Sequence, residues 1–110
     1  MDRNGVWTLA GLMVLALSAN AQEAGQIVGV VRDTTGGAVA GVVVKATESG
    51  TGFATSVVTG SEGQYVLPSL RPTTYVLTAE ITGFRRFSQA GVELQANESI
   101  TLNINLEVGL

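Results

Sequence analysis

From Gln26 onward apolar and polar side chains alternate with a period of two, and glycine-containing turns interrupt them about every eight to twelve residues. No stripe of helical spacing competes with this pattern, so it predicts antiparallel strands. Gln26 to Asp33 forms a first strand with Ile27, Gly29 and Val31 on one face. It ends at Thr34-Thr35-Gly36-Gly37, where glycine can take the positive φ of a tight turn. Val39 to Thr47 follows, with Val42, Val44 and Ala46 on one face and Val43, Lys45 and Thr47 on the other. After the turn Glu48-Ser49-Gly50-Thr51-Gly52, the threonine-rich segment Phe53 to Thr59 suits an edge strand. Gly60-Ser61-Glu62-Gly63 predicts a hairpin into Gln64 to Leu67, which Pro68 ends because it has no ladder donor.

Thr74 to Ile81 places Tyr75, Leu77, Ala79 and Ile81 opposite Thr74, Val76, Thr78 and Glu80, the pattern of a central strand. Thr82-Gly83 leads into Phe84 to Leu94, a strand interrupted near Ala90-Gly91. The clearest alternation runs from Ser99 to Val108, where Ile100, Leu102, Ile104, Leu106 and Val108 oppose Thr101, Asn103, Asn105 and Glu107. Seven strands with short connections cannot bury one face in a single open sheet, which predicts an all-β, seven-stranded antiparallel sandwich.

Residues 1 to 21 have a different character. Arg3 and the amino terminus precede an apolar run from Val6 to Leu17, and Ala19 and Ala21 offer the small side chains that signal peptidase accepts. The segment is predicted to be a signal peptide cut after Ala21, leaving residues 22–110 as one domain. A retained anchor is the alternative, but about 12 apolar residues fall short of the roughly 20 needed for a spanning helix.

Composition narrows the function. Of 110 residues 45% are hydrophobic and 14% charged, which is too apolar for a disordered tail. The net charge of −3 without a basic block excludes the usual electrostatic route to nucleic acid. Cysteine and histidine are absent, which removes thiol nucleophiles, the common zinc ligands and the usual general base. A carboxylate pair drawn from Asp33, Glu48, Glu62, Glu80, Glu93, Glu98 and Glu107 is outweighed by their expected place on solvated surface. No segment has the dense Asp/Asn spacing of a calcium loop, so no enzyme activity, cofactor or metal is expected.

Phe84-Arg85-Arg86-Phe87 is the candidate contact segment. Residues 84 and 87 have opposite parity, so a regular strand exposes one ring beside an arginine, whereas a bulge buries both.

Several segments together resemble the carboxypeptidase regulatory-like domain, a transthyretin-like sandwich within the carbohydrate-binding-like fold. They are Gly29-Val30-Val31-Arg32-Asp33 with Gly36-Gly37, Ala40-Gly41-Val42-Val43-Val44, Glu62-Gly63-Gln64-Tyr65-Val66-Leu67, Leu70-Arg71-Pro72 with Tyr75-Val76-Leu77, and Gly83-Phe84. Ala40 stands where the family usually has proline, and Thr73 where it often has glycine. The resemblance gives structural roles to Gly29, Gly41, Gly63 and Gly83, and implies that Tyr65 and Tyr75 fill the space between the sheets. A domain of this kind directly after a signal peptide resembles the N-terminal extension of TonB-dependent outer-membrane receptors. That implies protein contacts with a plug or barrel, at the periplasm or outer membrane of a Gram-negative bacterium. A plug and barrel do not fit in this length, so the chain is expected to be a fragment or a truncated reading frame. The alternative is a free-standing secreted module that binds carbohydrate or protein.

Overall fold

The structure, a computed structural model, describes residues 23–109. The signal segment expected at residues 1 to 21 lies outside them.

Among the described residues there are eight strands and no helix: β1 (Gly25–Asp33), β2 (Val43–Glu48), β3 (Ala54–Val58), β4 (Gln64–Leu70), β5 (Thr74–Glu80), β6 (Phe87–Glu93), β7 (Ser99–Thr101) and β8 (Ile104–Leu106). One sheet has β1 at its centre, with β4 on one side and β7 followed by β8 on the other. The second has the order β3-β2-β5-β6. Ile27, Val31, Tyr65, Leu67, Ile104 and Leu106 from the first sheet are buried together with Val44, Ala46, Tyr75, Leu77, Ala79 and Val92 from the second. The period-two reading of these segments therefore holds, and the fold is the expected all-β sandwich. Burying a Val, Leu or Ile side chain stabilises by about 1.5–3 kcal/mol. A strand as short as β8 is therefore held as much by Ile104 and Leu106 in the core as by its ladder bonds, while β7 packs the half-buried Ile100 against the same core.

The structure corrects several boundaries and pairings. Gly60 to Gly63 does not close a hairpin, because β3 pairs with β2 while β4 pairs with β1 in the other sheet. The turn is a crossover between sheets. It is closed by the Gly63 N–H donating to Gly60 O and the Gly60 N–H donating to Gln64 O. Pro68 does not end β4, which continues to Leu70. As an edge strand it tolerates the missing donor, and the register with β1 slips between Gly25 and Ile27. The segment from Val39 to Val42 is no ladder. It is an arch in which Thr59 Oγ1 donates to Val39 O at 2.8 Å and accepts from Val42 N–H at 2.9 Å.

The last segment is two strands instead of one, and both run parallel to β1. The sandwich is therefore not wholly antiparallel. Gln26 faces Ser99 and Val31 faces Ile104, the same offset on both sides of the break, so nothing is inserted between β7 and β8. Val108, expected on the buried face, is 64% exposed. The expected interruption near Ala90-Gly91 is present: the β5–β6 register shifts between Tyr75 and Leu77, and Gly91 has φ +71°.

Candidate functional site

Two concave surfaces lie at opposite ends of the β2–β5 pair. The first, about 530 Å³, is lined by Gly41, Val43, Glu80, Ile81, Thr82, Phe84 and Arg86. It contains half of the contact segment predicted from sequence. Phe84 precedes β6, in a connection whose backbone zips onto the end of the chain. Arg85 N–H donates to Glu107 O at 2.7 Å, Gly109 N–H donates to Gly83 O at 3.0 Å, and Phe84 bridges to Val108. Phe87 is the first residue of β6. Since the two rings do not share one regular strand, parity does not oppose them, and both are half-buried against the core.

The arginines between them point to partners of their own. Arg86 Nε lies 2.7 Å from Glu80 Oε1, and an Arg85 guanidinium nitrogen lies 3.6 Å from Glu107 Oε2. All four side chains are well exposed, so each pair contributes at most about 1 kcal/mol. Their effect is to neutralise the segment, leaving a groove of Val43, Ile81 and Phe84 with a compensated polar rim.

The second surface, about 380 Å³, is lined by Glu48, Thr51, Phe53, Thr55, Ser69, Leu70, Arg71 and Tyr75. Sequence reasoning missed it in two ways. Glu48 was expected on solvated surface in a turn, but it is the last residue of β2 and only 6% exposed. Extending the Val44–Ala46 alternation by two residues puts Glu48 on the inward face, and that signal was available. Arg71 donates to Glu48 Oε1 at 3.1 Å, and the Thr51 hydroxyl donates to the same oxygen at 3.3 Å. Phe53, expected within the third strand, precedes β3 and is 66% exposed. Tyr75 donates its hydroxyl proton to Arg71 O at 2.7 Å. Burial raises the Tyr75 pKa above the ordinary tyrosine value, and the Glu48 carboxylate adds to the effect.

The residues given structural roles are spread over core and turns, with Gly41 lining the first surface and Tyr75 the second. Tyr65 and Tyr75 are both buried in the core. Gly63 has φ +76°, and a Cβ there would fall 2.4 Å from Val31 O, so the crossover requires glycine on two counts. Gly41, also with positive φ, sits in the arch and at the edge of the first groove, and Gly83 sits in the turn before Phe84.

The sequence profile of the carboxypeptidase regulatory-like domain matches residues 26–107. Among curated proteins, the TonB-dependent transporter Oar of Myxococcus xanthus is 34% identical over 107 residues, which is 96% of this chain and 10% of that protein. The chain thus spans about a tenth of its relative. Among solved structures, the TIE protein of Bacillus anthracis superposes with a TM-score of 0.65 at 18% identity, covering 78% of this chain and 17% of that one. A structure of a type II cohesin–X-dockerin complex from Acetivibrio cellulolyticus superposes with a TM-score of 0.60 at 19% identity, covering 76% and 58%. At these identities the structural likeness is one of fold, whereas the profile match covers every strand but a residue at the start of β1: the chain belongs to the carboxypeptidase regulatory-like domain family.

Proposed function

We propose that this domain is a non-catalytic module at the N-terminal, periplasmic side of a TonB-dependent outer-membrane receptor, where it makes protein contacts in the cell envelope. The observation that carries this reading is the 34% identity to the transporter Oar over nearly the whole chain. The sequence reading of residues 1 to 21 as an export signal supports an N-terminal position. The chemistry agrees, since the chain supplies neither histidine nor cysteine and its exposed Arg85 and Arg86 are each spent on a glutamate. A neutral groove floored by Val43, Ile81 and Phe84 suits a protein surface better than a charged substrate.

Expression of the full chain in a Gram-negative host tests this. The expected product begins at Gln22 and fractionates with the periplasm or outer membrane; an unprocessed cytoplasmic chain would refute it. In a receptor carrying the module, a photo-crosslinker at position 84 should trap the plug or barrel. Crosslinks to neither would remove the contact role.

A further inference from the structure

The cleft between Phe53 and Arg71 plays no part in the envelope contacts just described, yet it is the better built of the two concave surfaces. Leu70, Tyr75 and Glu48 form a buried floor, and Phe53 stands exposed at its wall. The backbone of Phe53 is fixed: its carbonyl accepts from Glu48 N–H at 2.8 Å, and its N–H donates to Thr51 Oγ1 at 3.2 Å. An aromatic ring held in water on an ordered backbone loses little freedom on contact with a ligand. Ser69, which also lines the cleft, has φ 55°, a left-handed conformation that non-glycine residues adopt at some cost and that recurs at ligand sites.

The polar groups define the ligand. Glu48 Oε1 receives both Arg71 and Thr51, while Oε2 receives no hydrogen bond from the described residues and is not sealed from solvent. Arg71 uses one nitrogen on Glu48, and its side chain is 73% exposed, so further N–H donors face outward. A spare carboxylate oxygen beside spare guanidinium donors matches adjacent hydroxyls, each of which donates and accepts. The two charges cancel, so an anionic ligand meets Glu48 and a cationic one meets Arg71. The hydroxyls of Thr51, Thr55 and Ser69 add neutral partners, and about 380 Å³ lies in the usual range of small-molecule sites. The geometry points to a neutral saccharide, stacked on Phe53 and hydrogen-bonded to the Glu48–Arg71 pair.

Affinity electrophoresis of the full chain tests this, using gels that contain dextran, laminarin or xylan, with alginate as the anionic contrast. At least one neutral glycan should retard the chain. Phe53→Ala should weaken that retardation tenfold or more, Phe53→Tyr should keep it, and Val58→Ala, at the other end of β3, should not change it. An unaltered melting temperature of Phe53→Ala excludes misfolding as the cause. Retardation by none of the neutral glycans, by alginate alone, or to the same degree in Phe53→Ala overturns the assignment. Because this readout does not depend on where the chain resides, it can fail while the receptor reading stands, and the reverse.

Discussion

Tyr65 in β4 reaches across β1 to donate its phenolic hydrogen to the carbonyl oxygen of Leu102, on the far side of the sheet. The strand between them makes room because its residue at the crossing, paired with Tyr65, is Gly29. A Cβ on Gly29 would lie 2.1 Å from Leu102 O and 2.9 Å from the Tyr65 ring. The same contact explains the break between β7 and β8. Leu102 N–H still donates to Val28 O, but its carbonyl is turned to the phenol, and Val30 N–H takes Asn103 Oδ1 at 3.0 Å in its place.

Tyr65→Phe should therefore destabilise the domain by about 1–2 kcal/mol, read from urea unfolding, because it leaves the Leu102 carbonyl without its donor. Burial pushes the Tyr65 pKa from the ordinary 10.0 to about 12. The folded state thus holds this proton more tightly than the unfolded chain. Its contribution is complete below pH 10.0 and is lost as pH rises towards about 12. The alkaline fall in stability should be shallower in Tyr65→Phe; an unchanged profile would show that the phenol is not the responsible group.

Gly29→Ala should be among the most damaging single-methyl additions, costing about 3 kcal/mol or more, since the clash is with backbone on one side and a packed ring on the other. Gly50 has nothing within 4 Å and no left-handed φ. Gly50→Ala should stay within about 0.5 kcal/mol of the parent. Equal melting temperatures for the two variants would show that the three-strand crossing is wrongly placed.

Thr59 is 5% exposed, and its hydroxyl closes the arch between Val39 and Val42. Thr59→Val keeps the shape but leaves a buried N–H and a carbonyl unpaired, an expected loss of about 1–3 kcal/mol by chemical denaturation. Amide exchange at Val42 should quicken at the same time. Retained protection there would mean that another group satisfies the arch.

Asp33 accepts from the Thr35 hydroxyl, Gly37 N–H and Thr35 N–H, which hold its carboxyl below the ordinary 3.8. Stability from this turn is present above pH 3.8 and declines as the pH falls below it. Asp33→Asn should flatten that part of the acid profile, which NMR titration of the carboxyl and melting curves can check together.

The inward sets Val42-Val44-Ala46, Leu77-Ala79 and Ile104-Leu106 were legible because burial on one face of a strand imposes a period of two. Partner choice was not legible, since that period is identical for parallel and antiparallel neighbours and for either sheet. The short glycine turn from Gly60 to Gly63 imitates a hairpin, although Thr59 at its start ties the end of β3 to the arch before β2. The rings of Phe84 and Phe87 could not be placed from parity because Phe84 bridges to Val108 instead of pairing with β5. Phe53 gave no signal of exposure: its parity is that of Val57, and only the end of the sandwich leaves it uncovered.

The placement of β7 and β8 against β1 joins residues 73 positions apart, as in the bond from the Gln26 side chain to Ser99. Contacts that distant make assembly slow relative to helical proteins of this size. A polypeptide emerging amino-terminus first cannot complete its first sheet until Ser99 to Leu106 has appeared, so nearly the whole domain must leave a translocon or ribosome before it locks. Such a topology leaves the sheet around β1 open along one flank until the final strands have been made, whereas the sheet β3-β2-β5-β6 draws on nothing beyond Glu93.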